Sequence, residues 1–126
     1  MKIGNIKFKA KRLDNGEWVE GDLKHSTSYV GIGYPSSAFP DVPIVHRVDP
    51  DTVCMFTGLT DCEGKEIWEG DMIKSPYLEN VATVEWDDSL CGFKCVDGRR
   101  CINYSLRALV ESSGWSLIRN KFDKKK

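Results

Sequence analysis

Residues 6–23 read IKFKAKRLDNGEWVEGDL. Ile6, Phe8 and Ala10 alternate with Lys7, Lys9 and Lys11. A period of two puts apolar side chains on one face of a strand and the lysines on the other. Asp14-Asn15-Gly16 follows, and an Asn-Gly pair accepts the positive φ angles of a tight hairpin turn. Glu17 to Leu23 returns as a second strand.

The same pattern extends along the chain. Tyr29 to Tyr34 is strand-like but broken by glycines. Pro35 to Pro43 holds three prolines and reads as an exposed loop, because proline lacks the N–H that a central strand must donate. Ile44 to Val48 and Val53 to Thr57 are strands separated by Asp49-Pro50-Asp51. Gly58 to Gly64 reads as a connection ending in a turn. Ile67-Trp68, the turn Glu69-Gly70-Asp71 and Met72-Ile73 come next. From Val81 to Trp86, Ala82, Val84 and Trp86 occupy one side, with Val81, Thr83 and Glu85 on the other. Asp87-Asp88-Ser89 turns the chain, and Cys91, Phe93 and Cys95 share one face of the following strand. Asp97-Gly98 is a second hairpin signal, from which Arg99 to Tyr104 pairs back. Ser105 caps a short helical turn over Leu106–Val110, and Trp115 to Ile118 is the last strand.

The predicted fold is therefore mainly β: an N-terminal β-meander followed by a small SH3-like barrel with one short helical turn. The expected divisions are 1–58, 59–120 and a disordered basic tail over 121–126. Trp18, Trp68, Trp86 and Trp115 are expected to anchor cores. One internal echo exists: Glu20-Gly21-Asp22 and Glu69-Gly70-Asp71 each follow an aromatic strand. It reads as two strand ends using the same turn chemistry.

Composition sets the outer limits. The chain has 126 residues, 40% of them hydrophobic, enough for one compact domain or two very small ones. No apolar run is long enough for a membrane helix. Met1-Lys2-Ile3-Gly4-Asn5 has no apolar stretch behind it, so no signal peptide is read and the expected location is cytoplasmic. The five cysteines, Cys54, Cys62, Cys91, Cys95 and Cys101, are odd in number and are expected as free thiols. Charge is uneven: residues 1–40 sum to +2, 41–90 to −9 and 91–126 to +6.

Most site chemistries fail on the residues. Cys91-x-x-x-Cys95 has loose zinc-ligand spacing with Phe93 between the thiols, and core cysteines explain it better. His25 and His46 have no local cysteine partner for nucleophilic catalysis. Pro40-Asp41 or Pro50-Asp51 with Glu63-Gly64-Lys65 spells a nuclease-like string, but Glu63-Gly64 falls in a turn. Asp87 and Asp88 are adjacent and read as turn residues rather than a catalytic pair.

The segment Phe56-Thr57-Gly58-Leu59-Thr60-Asp61-Cys62-Glu63-Gly64-Lys65-Glu66-Ile67-Trp68-Glu69-Gly70-Asp71-Met72-Ile73-Lys74 resembles the signature of YopX-like phage and prophage proteins, roughly FTGLKDKNGKEIYEGDIV. Phe8 to Lys11, Trp18 to Leu23, Val84-Glu85-Trp86 and Gly92-Phe93 resemble other strands of that family. The end departs: Arg119 replaces a glycine, and a lysine tail, Lys124 to Lys126, replaces the usual closing residues. The resemblance implies a phage or prophage product, a C-terminal SH3-like barrel and self-association. It supplies no catalytic residues, cofactor or small-molecule substrate.

Two functions follow as expectations. The first is a non-enzymatic, self-associating interaction module, in which acidic residues 61–88 face basic residues 99–126 of a neighbour. The second is nucleic-acid binding through Lys7, Lys9, Lys11, Arg99, Arg100 and Arg107, with aromatics such as Tyr104 stacking on bases.

Overall fold

The computed structural model describes residues 2–61, 63–74, 81–97, 102–111 and 114–123, without the side chains of 97, 102–105 and 107–109. It is mainly β, with two antiparallel sheets. The chain divides into two units, Met1–Phe56 and Thr57–Lys126.

The first unit grows from the 6–23 hairpin. Strand β1 (Phe8–Lys11) pairs with β2 (Trp18–His25), matching Ala10 to Val19 and Lys11 to Trp18. The turn between them is wider than a two-residue hairpin. Arg12 N–H donates to Glu17 O at 2.9 Å, and Gly16 takes a φ of 70°. The Arg12 guanidinium grips Asp14, with Nε to Oδ1 at 2.9 Å and Nη2 to Oδ2 at 2.6 Å. Strand β3 (Val30–Pro35) and strand β4 (Pro43–Arg47) extend the meander, so Pro35 and Pro43 frame the loop as paired strand ends.

The far edge of β1 is shared. Its start pairs with the opening of β5 (Cys54–Thr60). Its end meets the end of β4: Arg12 bridges Val48, Leu13 N–H donates to Arg47 O at 3.0 Å, and Asp49 N–H donates to Lys11 O at 2.9 Å. The four-stranded meander thus closes on itself at that end. Ala10, Val19, Ile32 and Val48 are buried inside it, with Phe8, Val30, Tyr34 and Val53 packed around them.

The second unit contains β6 (Glu66–Trp68), β7 (Asp71–Lys74), β8 (Ala82–Asp87), β9 (Gly92–Asp97), β10 (Ile102–Ser105), helix α1 (Leu106–Glu111) and β11 (Ser116–Asn120). Its five-stranded sheet runs β10-β9-β8-β7-β11, so the last strand returns beside β7. Ile67, Ile73, Ala82, Val84, Cys95 and Leu106 form its core, with Leu59, Phe93, Val110, Trp115 and Leu117 against them.

Four features differ from the sequence reading. Strand β5 continues through Gly58 to Thr60 where a connection was expected; Gly58 takes a φ of 83°, and Thr57 Oγ1 donates to Ile67 O at 2.6 Å. Trp86 is 43% exposed and is not a core anchor. It ends the Ala82–Val84 row beyond the core, meeting Phe93 edge-on at 5.2 Å and donating Nε1–H to Asp88 at 2.6 Å. Cys91 lies in the turn before β9, exposed, with a φ of 50°, so it does not share a strand face with Cys95. Residues 121–123 form a hydrogen-bonded turn rather than a frayed start to the tail; Asp123 N–H donates to Asn120 O at 3.0 Å. Lys124 to Lys126 lie outside the described residues.

The echo also resolves into two different devices. Glu20-Gly21-Asp22 is mid-strand in β2, not a turn. Glu69-Gly70-Asp71 is a turn, with Gly70 at a φ of 87°.

Candidate interaction surface

The described signature residues are occupied in building the fold, Phe56 in the first unit and the others in the second. Phe56, Ile67 and Trp68 are buried and Leu59 packs on the core. Glu66 opens β6. Asp61 Oδ1 accepts from Glu63 N–H at 2.9 Å and Lys65 N–H at 2.7 Å, and Gly64 turns the hairpin at a φ of 83°.

Asp71 and Asn120 are buried polar residues. Asp71 Oδ2 accepts from Trp68 N–H at 2.8 Å and Oδ1 accepts from Asn120 Nδ2 at 3.0 Å. Asn120 Nδ2 also donates to Glu69 O at 3.1 Å, while its Oδ1 accepts from Phe122 N–H at 3.0 Å. A bulge between Leu117 and Arg119 brings Asn120 opposite Asp71. This knot ties the last strand to the Glu-Gly-Asp turn. Sequence reasoning found Asp71 but missed Asn120, because the bulge that aligns them has no local signal.

The expected anion contacts are partly taken up. Lys7 pairs with Glu20 at 3.3 Å and lies over Phe56. Lys9 and Lys11 both sit 4.6 Å from the Trp18 ring centre, so that ring is covered by lysines instead of offering a stacking face. Arg99 and Arg100 lie outside the described residues, as do the side chains of Tyr104 and Arg107.

Among the described residues, the thiols and histidines gather no site. Burial pushes the Cys95 thiol up to about 12, so it stays protonated at neutral pH. Cys54 is buried with Sγ 3.3 Å from Thr52 O. Cys62 and Cys101 lie outside the described residues. His46 is hydrogen-bonded to the Tyr34 hydroxyl at 3.0 Å, and His25 ends β2, exposed. Among the described residues, no three His, Cys, Asp or Glu side chains could hold a metal ion. Pro50 and Asp51 form a 3-10 turn capped by Asp49 in the first unit, whereas Glu63-Gly64-Lys65 turns a hairpin in the second.

Asp87 is a turn acceptor. It takes Lys94 Nζ at 2.8 Å, Ser89 Oγ at 2.5 Å and Ser89 N–H at 2.8 Å. The Lys94 and Ser89 hydrogen bonds hold its carboxyl well below the usual carboxylate range. The folded state therefore favours the charged form. That contribution is whole above about pH 4, the unfolded value, and is lost as pH falls toward the depressed folded value. Thermal melts of Asp87→Asn should show a shallower loss of stability below about pH 4 than the parent protein. Identical acid slopes would refute the assignment.

One surface of the first unit remains open. Cross-strand partners share a face, so Asp22, Gly33 and Val45 form a row over β2, β3 and β4. Gly33 has no side chain, which leaves a depression between its neighbours. Pro35, Pro40 and Pro43 wall it, and Asp22 and Lys24 stand on its rim. The resulting groove measures about 250 Å³. Gly33 is extended; a Cβ there would come 3.3 Å from Val45 Cγ2, so the missing side chain serves the space rather than the backbone angle.

The surroundings are apolar and exposed. Phe39 is 69% and Val42 62% accessible on the loop between β3 and β4. Strand β4 is the outer strand of its sheet. Val48 N–H bonds to Val30 O at 3.0 Å, so residues 46 and 44 face β3 and residues 45 and 43 face outward. Arg47 O is used by Leu13, and Pro43 has no N–H. Val45 is thus the centre of a short open edge beside the groove.

Among the described residues, no helix is long and apolar enough to cross a membrane. The family model described as YopX protein matches residues 5–121. No curated protein matches the chain.

Proposed function

Because this chain belongs to the YopX protein family, and its signature residues are spent on structure, we propose that it works as a non-enzymatic, self-associating interaction module. The observation that carries this reading is the apolar surface of the first unit: a groove beside an open strand edge, with Phe39 and Val42 exposed around it. Contiguous exposed apolar surface next to unpaired backbone groups is stabilised by burial against another chain. The reading includes a phage or prophage source and an SH3-like second unit, supported by a five-stranded order in which the last strand lies beside β7 and a helix precedes it. Nucleic-acid binding ranks below it, since the lysines of β1 already engage Glu20, Phe56 and Trp18.

Sedimentation velocity over a range of about 1 to 100 μM tests the proposal. Concentration-dependent association that persists at about 1 M salt is expected, because apolar burial is not screened as charge pairs are. Monomer throughout would overturn the reading. Association abolished by salt would instead favour contact between the acidic middle and the basic end.

A further inference from the structure

We propose that the groove over Gly33 receives the Phe39 ring of a second copy of this chain across a two-fold axis, with Asp22 of each copy paired to Lys24 of the other. This rests on the self-association reading and names the contact that would produce it.

The space fits the ring. A cavity of about 150 Å³ holds one benzene molecule, and this groove offers about 250 Å³. Its lining is mostly apolar, with three prolines, Val45 and Leu23 beside Tyr34, so an inserted aromatic ring buries apolar surface against apolar surface. The ring is also held ready. Phe39 N–H donates to Ser36 Oγ at 3.3 Å, and Val42 N–H donates to Phe39 O at 2.9 Å. A loop fixed in this way loses little freedom on docking. Phe39 stands outside its own groove, 69% exposed, although the next residue, Pro40, lines it. A knob beside its hole suits a two-fold contact, because each surface must meet a copy of itself.

Charge selects the same occupant. Asp22 and Lys24 are two residues apart on β2, hence on one face. Among the described residues neither has an ion-pair partner. A two-fold axis reverses the order of the two charges on the opposing copy, so acid meets base twice. An unrelated partner would have to carry that reversed order independently, whereas a second copy presents it by symmetry.

Sedimentation equilibrium on the full chain supplies the test. Phe39→Asp should weaken association by about a hundredfold or more. Its melting temperature should stay within about 2 °C of the parent, since the residue is exposed. Asp22→Lys and Lys24→Asp should each weaken association by about tenfold. An equimolar mixture of those two variants, and the doubly reversed protein, should recover to within about threefold of the parent, since both arrangements restore acid against base. Association of the parent that ignores Phe39→Asp, or a double reversal as weak as the single ones, overturns this contact while leaving self-association standing. A monomeric parent at about 100 μM overturns both.

Discussion

Asp71→Ala is expected to lower the stability of the second unit by about 3 kcal/mol, the largest loss among single polar substitutions described here. The carboxylate is buried and accepts from Trp68 N–H and Asn120 Nδ2. Removing it strands the Trp68 N–H, a donor in an adjacent buried residue, and loosens Asn120, which holds the Glu69 carbonyl and the 121–123 turn. Hydrogen bonds to a charged acceptor contribute about 1.5–3 kcal/mol, and an orphaned buried donor adds its own desolvation cost. Urea unfolding should show a lower midpoint at an unchanged slope, and the Trp68 amide should exchange faster. Asp71→Asn should recover part of the loss at most, because its NH2 meets another donor. A double-mutant cycle with Asn120→Ala should return a coupling of about 1 kcal/mol or more. A cost for Asp71→Ala below about 1 kcal/mol would show that the knot is incidental.

Gly21→Ala should damage the first unit by about 2–4 kcal/mol, although Gly21 is ordinary extended backbone. An ideal Cβ at this position would lie 3.1 Å from the Gly33 carbonyl carbon and closer still to its oxygen. Both atoms are backbone, so no side-chain rotation relieves the clash and β2 must move away from β3. Gly64→Ala is the control. It has open space around it but a φ of 83°, so only conformational strain of about 1 kcal/mol applies. Gly70→Ala should fall between, with a φ of 87° and a Cβ 3.1 Å from Asn120 Nδ2. Thermal or urea denaturation of the three variants checks the order Gly21, Gly70, Gly64. Equal losses would mean that crowding at β2 and β3 is relieved without strand separation.

These two predictions concern the same tripeptide, Glu-Gly-Asp, at residues 20–22 and 69–71. As a string it invites one explanation, a shared turn. The molecule uses the first glycine to let a neighbouring carbonyl approach and the second to reach a left-handed angle. Sequence alone does not separate these uses, because glycine answers both needs with the same absence of a side chain. Trp86 shows a similar limit. Its alternation with Ala82 and Val84 correctly gives the face, but not that the row outruns the core.

Local pattern by itself determined the β class, most of the strands from Phe8–Lys11 onward, and membership of a family whose signature lies at residues 56–74. Those follow from period-two burial, turn residues and a long ordered string, all of which act between near neighbours. Only the tertiary structure decided that a bulge sets Asn120 against Asp71, that Trp18 is covered by Lys9 and Lys11, and that Gly33 opens a groove beside Val45. Each of these depends on how paired strands are aligned, which the apolar pattern of a single strand does not fix. A shift of one residue there would turn every side chain to the other face without altering the sequence pattern at all.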